Sequence, residues 1–347
     1  MKKRIIYPIF LVFILLGLAL NVNPALAAGK PIKLKYAHID VGQPLGSFIH
    51  AASVAFKNVM EKRSGGKYEV VIYPSGTLGK EIDLMEAVKN NVIQIHGASS
   101  GGLFRIFPES LLIWTPYAFR NPRVASEVID GPFGQRLLDA FTERTGIKGL
   151  AIHDIYGYDS INNSVRPIRK PADLKGLKFR GMDTMQTTHF RALGASAIPI
   201  PFAEVYTALQ TGVVKGTFHP PFIVRWKKFY EVMKYMTRYP SQYGNNWIVC
   251  NKQWYDGLSP EEKLIVRDAA RASVIASRGL CLIKQELDIA YLKEKGMKII
   301  ALTDEEALEF RKVAQGPCVE WLKTQMDPKW MDELMEAIKR AERKLGY

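Results

Sequence analysis

Patterns for metal binding and nucleotide binding are scarce in this 347-residue sequence. It has three cysteines (Cys250, Cys281 and Cys318), and none of them forms a Cys-x-x-Cys spacing, so they do not indicate a metal site. They could form one disulfide or remain buried thiols. The six histidines are scattered without a His-Glu-x-x-His pattern, and neither a phosphate-gripping loop nor a dinucleotide fingerprint is present. We therefore expect no cofactor, no bound metal and no catalytic residues.

Long apolar runs are also absent, except at the N-terminus. Residues 2–4 are basic, residues 5–20 are almost entirely apolar, and residues 25–27 read Ala-Leu-Ala. This order is typical of a secretory signal peptide. The alternative is a membrane anchor, but the run is short for a bilayer span, which needs about 20 residues. The sequence therefore predicts that residues 1–27 are a cleaved signal peptide.

The chain is basic, but it contains no long run of basic residues. Its net charge is +14, and removing the three cations of residues 2–4 leaves +11. The basic residues are spread along the chain, and the aromatic residues do not interleave with them as in RNA-binding proteins. We expect no nucleic-acid partner, and a basic surface that favours anionic ligands.

The first part of the mature chain alternates between strand and helix patterns. It has predicted strands at residues 32–37, 68–73 and 93–98 and predicted helices at residues 47–61 and 81–89. Strands that alternate with helices indicate an α/β fold with a parallel sheet covered on both faces. Further along we predict one helix at residues 125–145 and strands at residues 149–156, 229–236 and 247–250.

A long helix is predicted near the C-terminus. Ser259 and Glu262 form a capping box, and Pro260 lies at the first helical position. The following residues up to 295 contain no proline. A helix of about 35 residues is roughly 50 Å long. That length exceeds the need of one domain and predicts a helix that contacts two.

The central stretch, residues 166–216, reads as another strand–helix–strand unit. Residues 177–180 alternate apolar and basic, a helix is expected from about residue 203, and a strand at 213–214. Ligands of such units collect at the carboxyl ends of the strands, and Arg180 lies at such an end.

Several other polar residues are predicted to lie at strand ends. Taken alone, each is more often structural or solvated than ligand-binding. The set is His38, Ser99, Tyr158, Ser160, Asp183, His219, Asn245 and Asn246.

Nearly the whole mature chain resembles one family. The motifs that carry the resemblance are Tyr-Pro-Ser-Gly-Thr-Leu-Gly at residues 73–79, Phe-Pro-Glu at 107–109 with Pro-Tyr-Ala-Phe at 116–119, Arg-Pro-Ile at 166–168 with Pro-Ala-Asp-Leu-Lys-Gly-Leu-Lys-Phe-Arg at 171–180, and Phe-Ala-Glu-Val-Tyr-Thr-Ala-Leu-Gln-Thr-Gly at 202–212. In this order they resemble the extracytoplasmic solute-binding proteins of tripartite ATP-independent periplasmic (TRAP) transporters.

The resemblance implies a two-domain periplasmic binding protein fold, type II-like, with a ligand cleft and a long domain-spanning helix. We predict that residues 28–157 with 246–285 form one domain, and that residues 158–245 with 286–347 form the other. It also implies that the domains close over the ligand in the periplasm, that the chain is a monomer, and that the ligand passes to a small and a large membrane subunit.

The resemblance assigns the ligand anchor to Arg180, which ends the motif Leu-Lys-Gly-Leu-Lys-Phe-Arg. In the family this arginine forms a two-pronged salt bridge with the ligand carboxylate. The planar guanidinium presents parallel donors that suit a carboxylate or a sulfonate. The remaining ligand-binding residues that we predict are His219, Asn246, Tyr158, Ser99, Ser160, Asp183, His38, Phe202 and Trp247.

The chain also departs from the family pattern near the predicted site. Phe218 and His219 stand where many members have an acidic or amide side chain, which argues against a metal-bridged ligand. His219 could add positive charge, since an unperturbed histidine has a pKa near 6.5. Tyr158, Asp159 and Ser160 replace a second arginine of some members. We therefore expect a ligand with one strongly anchored acid group.

These observations predict a periplasmic solute-binding subunit of a TRAP transporter that captures a small organic anion. The alternatives are a ligand-binding sensor for a signalling receptor and an exported enzyme that uses the same cleft.

Overall fold

The computed structural model describes residues 30–347, so the predicted signal peptide at residues 1–27 lies outside the described residues. Nine strands of the described chain form one mixed sheet. The strands are β1 Ile32–His38, β2 Tyr68–Tyr73, β3 Ile95–Ser99, β4 Ile147–Asn163, β5 Lys178–Gly181, β6 Ser196–Pro199, β7 Gly216–His219, β8 Tyr235–Asn251 and β9 Lys298–Ala301.

Helices cover both faces of this sheet. They are α1 Phe48–Arg63, α2 Glu81–Lys89, α3 Ser100–Leu103, α4 Pro122–Ile129, α5 Pro132–Thr145, α6 Thr184–Ala192, α7 Val205–Gln210, α8 Pro221–Trp226, α9 Lys252–Asp256, α10 Pro260–Glu294, α11 Asp304–Lys323 and α12 Lys329–Leu345. A buried 3₁₀ helix, Pro108–Trp114, lies within the proline-rich connection that precedes α4.

The sheet has two parallel parts joined by antiparallel strands. Its strand order is β2-β1-β3-β8-β4-β7-β5-β6, with β9 beside β8. β1 pairs in parallel with β2 and β3, and β5 pairs in parallel with β6 and β7. β8 is antiparallel to β3 and β4, and β4 is antiparallel to β7. The predicted α/β class is thus confirmed, with a mixed sheet.

The two central strands, β4 and β8, are much longer than predicted. Each has 17 residues, and they pair from Ile147 opposite Asn251 to Asn163 opposite Tyr235. The predicted strand at residues 149–156 covers only the first part of β4. Register irregularities interrupt the pair, including one between Asp154 and Tyr158. Because a bulge bends a strand and raises its twist, one long pair can run through both parts of the sheet.

The predicted long helix is confirmed as α10, with 35 residues. Ser259 and Glu262 form the capping box at its start, where the Ser259 side chain accepts a hydrogen bond from the Glu262 backbone. The helix packs against α1, β4 and α8. It therefore connects elements from both parts of the sheet.

Three further predictions differ from the structure. The predicted strand at residues 229–236 begins as a 3₁₀ helix, Phe229–Glu231, and only its last two residues belong to β8. Residues 125–145 form two helices, α4 and α5, rather than one. The end of α4 and the start of α5 lie very close together, because a Cβ atom on Gly134 would lie 1.8 Å from the Ile129 carbonyl oxygen. In the central stretch, α6 and β6 lie between β5 and α7, and β7 begins at Gly216 rather than at residue 213.

Separate apolar clusters lie on the two faces of the sheet. One packs around Phe107 and Trp247, a second around Phe56 and Ile248, and a third, in the part with β5, around Phe179. Cys250, Cys281 and Cys318 are all buried and free. Within residues 30–347, no helix combines the length and the apolar character that a bilayer crossing needs. The domain boundaries stay a prediction.

Candidate functional site

A cavity of about 500 Å³ opens at the carboxyl ends of the parallel strands β5, β6 and β7. This is where ligands of open α/β sheets collect, and the volume suits a small molecule. The lining residues are Trp114, Asp159, Arg180, Met182, Gln186, Pro199, Ile200, Pro201, Phe202, Phe218, His219 and Ile223.

Arg180 supplies a buried positive charge to this cavity. Its side chain is 2% exposed, and Nε donates a hydrogen bond of 2.9 Å to the Ile200 carbonyl oxygen. Nη1 is buried without a hydrogen-bond partner. Burial lowers the pKa of Arg180 to about 10, while the nearby Asp183 and Asp159 oppose that shift. The guanidinium therefore stays charged at neutral pH and keeps a donor free.

Asp159 lines the same cavity, and the sequence did not identify it as a site residue. It is 3% exposed, and within residues 30–347 its side chain forms no hydrogen bond or ion pair. Burial raises the pKa of Asp159 well above the usual carboxyl range; Arg180 opposes this shift and Asp183 adds to it. The cavity thus holds a buried guanidinium and a buried carboxyl group that do not form a direct pair.

Asp183 has a capping role rather than a place in the cavity lining. Its side chain accepts a hydrogen bond of 2.8 Å from the Gln186 backbone at the start of α6. Burial raises its pKa, and hydrogen bonds from the backbone oppose the shift. Gln186 in turn accepts a hydrogen bond from the Met182 backbone, so the loop after β5 is fixed close to Arg180.

His219 lines the cavity as predicted, but as a neutral group. Its Nε2 atom is buried without a partner. Burial lowers the pKa of His219 well below its ordinary value, and the positive charge of Arg180 lowers it further. The suggestion that His219 adds positive charge is therefore wrong for the ligand-free protein; the neutral ring offers one donor or one acceptor.

Apolar side chains form most of the remaining wall. Phe202 is 36% exposed, and its ring packs edge-on against that of His219, with 5.6 Å between centroids. Phe218 also lines the cavity and is almost completely buried. Trp114, which the sequence did not identify, adds an indole whose Nε1 atom has no hydrogen-bond partner. The wall is therefore apolar with a few polar atoms left free.

Tyr158 and Ser160 lie outside the Arg180 cavity. The Tyr158 hydroxyl donates a hydrogen bond of 2.9 Å to the Phe119 carbonyl oxygen. Both residues border a smaller cavity of about 300 Å³ beside Arg238 and Gln285. Asp159, which lies between them on β4, borders both this smaller cavity and the Arg180 cavity.

Four other predicted residues lie in the part of the sheet formed by β1, β3 and β8. His38 Nε2 lies 3.0 Å from His50 Nδ1, and Ser99 Oγ accepts a hydrogen bond of 3.0 Å from the Gly102 backbone. Asn246 is buried opposite Ser99 on β8, and Trp247 is in the apolar core. None of the four lines the Arg180 cavity.

Residues 97–101 read Gly-Ala-Ser-Ser-Gly and match the nucleophile-elbow pattern of hydrolases, at a turn from β3 into α3. The central Ser99 uses its Oγ atom to cap the following turn. Within the described residues, no histidine hydrogen-bonds Ser99, so the geometry lacks the base that a serine nucleophile needs. The same part of the chain contains no group of three side chains placed to hold a metal ion.

Comparisons with known proteins agree with this geometry. Residues 41–323 match the family profile DctP, described as bacterial extracellular solute-binding protein, family 7. The chain is 33% identical to the 2,3-diketo-L-gulonate-binding periplasmic protein YiaO of Escherichia coli (strain K12), over 74% of this chain and 78% of that protein. It is 31% identical to the C4-dicarboxylate-binding periplasmic protein DctP of Rhodobacter capsulatus, over 86% and 88%.

A solved structure matches at the level of the whole fold. The crystal structure of the sugar acid binding protein DctPAm from Advenella mimigardefordensis strain DPN7T, in complex with galactonate, superposes with a TM-score of 0.78. The identity is 32%, and the match covers 90% of this chain and 99% of that chain.

Proposed function

Because the chain belongs to family 7 of the bacterial extracellular solute-binding proteins, we propose that it captures a small organic anion, a carboxylate or a sulfonate, for a TRAP transporter. The observation that carries the proposal is the unpaired Arg180 in the cavity. A buried charge without a partner costs free energy, and an anionic ligand would remove that cost.

The ligand's anionic group would bind the guanidinium through two parallel hydrogen bonds. Arg180 suits this role because its Nε atom is held by the Ile200 carbonyl, which fixes the plane of the group. The free Trp114 Nε1 and His219 Nε2 atoms can hydrogen-bond the rest of the ligand, while Phe202 covers its apolar side. Asn246, Tyr158, Ser99, Ser160, Asp183, His38 and Trp247 lie away from the cavity lining and would act, at most, through its walls.

In the transport cycle the protein would be exported by its signal peptide and would bind its ligand in the periplasm as a monomer. The two predicted domains would close over the ligand by a hinge motion and deliver it to the small and large membrane subunits. Contacts from both domains to the ligand would favour the closed state. The relatives named above are binding proteins, which supports ligand capture without turnover.

Calorimetric titration of Arg180 variants tests the proposal. With galactonate as the probe, Arg180→Ala should weaken binding by about 3–5 kcal/mol, more than a hundredfold. Arg180→Lys should fall between this variant and the wild type, because lysine keeps the charge but loses the parallel donors. Binding of the probe by Arg180→Ala within twofold of the wild type would contradict the proposal.

Arg191→Ala is the matched control. Arg191 lies on α6 in the same part of the sheet, but its side chain is exposed and forms one long hydrogen bond of 3.4 Å to Ala197. Its removal should leave galactonate affinity unchanged. A stability measurement on ligand-free Arg180→Ala completes the design, because a variant that remains folded shows that the lost binding comes from the missing guanidinium and not from a lost fold.

A further inference from the structure

We propose that Asp159 determines which anions bind, by selecting monocarboxylates that carry hydroxyl groups and by rejecting dicarboxylates. This inference rests on the proposed function, since it assumes that Arg180 binds the ligand's carboxylate. The relatives raise the question, because one of them is named for a sugar acid and another for C4-dicarboxylates. An acidic side chain in the cavity, such as Asp159, can discriminate between sugar acids and dicarboxylates.

Asp159 lies where a ligand would meet it. It lines the same cavity as Arg180, and each group affects the titration of the other. The two side chains are nevertheless too far apart for an ion pair, since no oxygen of Asp159 lies within 4.0 Å of the guanidinium nitrogens in the described structure. A carboxylate bound to Arg180 would therefore leave Asp159 beside the carbon chain of the ligand.

Within residues 30–347, no protein group donates a hydrogen bond to the Asp159 carboxylate. A buried carboxylate without donors is unfavourable, so a ligand that brings donors would gain more than one that does not. Hydroxyl groups next to the ligand's carboxylate are such donors. An unsubstituted hydrocarbon chain would leave the Asp159 oxygens without a hydrogen-bond donor.

The second carboxylate of a dicarboxylate ligand would find no cation in the cavity lining to pair with. Arg180 is the only lysine or arginine among the described lining residues, and His219 is neutral. Two further cations lie outside this lining. Lys227 has its Nζ atom 5.0 Å from the centre of the Phe202 ring and also interacts with Asp40, and Arg238 borders the smaller cavity and forms an ion pair with Glu286. The second acid group of a dicarboxylate would thus lie near Asp159 without a cation of its own.

Matched ligands separate these effects. We would titrate the wild type at pH 8 with three four-carbon acids, erythronate, succinate and butyrate, and with three six-carbon acids, galactonate, adipate and hexanoate. The hydroxylated acid should bind at least about tenfold more tightly than both other acids of its length. A dicarboxylate that binds more tightly than the hydroxylated acid would overturn the inference.

Asp159→Asn isolates the charge with little change in shape. The variant should bind the hydroxylated acid about tenfold more weakly and the dicarboxylate more tightly, so that the preference falls by more than tenfold. Asp159→Ser is a second variant with the same expected direction, in case the first does not fold. An unchanged preference in a folded variant would overturn the inference.

Asp183→Asn is the matched control, because Asp183 is also buried and acts on Arg180 but does not line the cavity. Asp183→Asn should leave the affinity ratio of the hydroxylated acid to the dicarboxylate within threefold of the wild type. If Asp159→Asn and Asp183→Asn changed this ratio equally, long-range electrostatics would explain the preference and the inference would be overturned. Tighter binding of threonine than of erythronate would overturn it in favour of an ammonium group. If no carboxylate binds the wild type but a sulfonate does, this inference fails while the proposed function stands; if neither class of anion binds, the proposed function itself fails.

Discussion

Asp154 and Asp159 lie five residues apart on β4, and both are almost completely buried, with exposed fractions of 1% and 3%. Asp154 accepts hydrogen bonds from the Tyr243 hydroxyl and from Arg278, and Arg278 also binds Asp130 through two hydrogen bonds of 2.8 and 3.2 Å. Asp159 has no such partners in the described chain, and a cavity lies beside it instead.

The difference shows which buried charge the fold uses for itself. The bonds of Asp154 join β4 to β8 and to α10, so they hold the long central strands against the long helix. Asp159 and Arg180 gain nothing comparable from the fold and impose a cost on it. Buried charges that the protein leaves unpaired beside a void are the better candidates for recognition.

The largest expected effect comes from breaking the paired aspartate. Arg278→Met should lower the free energy of unfolding by about 3–5 kcal/mol, because it removes a charged partner from the buried Asp154. Asp130→Asn is the control; its carboxylate is half-exposed, so the loss should stay below about 1 kcal/mol. Urea unfolding measures both, and equal losses would mean that Asp154 does not depend on its partner.

The next effect concerns the histidine beside Asp154. Burial lowers the pKa of His153 to about 4, so the unfolded chain binds a proton there at higher pH than the folded chain does. Stability should therefore fall as the pH drops from about 6.5 towards 4, by up to about 1.4 kcal/mol per pH unit from this group. His153→Asn keeps a polar atom near Ser277 and should flatten the curve by that amount. Urea unfolding at several pH values measures this. The prediction is contradicted if the unfolding free energies of the wild type and His153→Asn change in parallel with pH.

The unpaired Asp159 should destabilise the folded protein, whereas the hydrogen-bonded Asp154 stabilises it. Because the pKa of Asp159 is raised in the folded protein, its contribution to stability is lost as the pH rises above about 4. Asp159→Asn should thus raise the free energy of unfolding at pH 7 by about 1–3 kcal/mol and leave it unchanged near pH 3. Thermal unfolding without ligand across this range measures the difference. A destabilised variant at pH 7 would mean that Asp159 has structural partners after all.

The smallest effect is expected at Asn246, which the sequence placed in the site. Its Nδ2 atom is buried without a partner, and the side chain does not line the Arg180 cavity. Asn246→Leu should change ligand affinity by less than twofold and stability by less than about 1 kcal/mol, because an apolar group of similar shape replaces an unsatisfied one. If Asn246→Leu lost galactonate binding, Asn246 would belong to the binding site, and lining the Arg180 cavity would no longer distinguish ligand-binding residues from structural ones.

The sequence predicted the elements whose signals are local. The capping box at Ser259 and Glu262 located α10, and the motif that ends at Arg180 located the residue that lines the cavity at the end of β5. Both depend on residues within a few positions of each other. Local chemistry decides such features, and it can be read directly.

The rest of the site depends on pairings between distant residues. Asn246 and Trp247 lie outside the cavity lining because their part of β8 pairs with β3. Asp159 lines the Arg180 cavity whereas the predicted Tyr158 does not, and the register of β4 shifts around Tyr158. A shift of one residue turns a side chain to the other face, and nothing in the local sequence reveals it.

The central position of β8 also governs the order in which the chain can fold. β3 pairs with β8 from Ile95 opposite Cys250 to Ser99 opposite Asn246. One edge of β3 therefore stays unpaired until a strand about 150 residues later in the chain has been made. Contacts of such high sequence separation slow folding. We expect the newly made chain to stay unfolded until residue 251 is available.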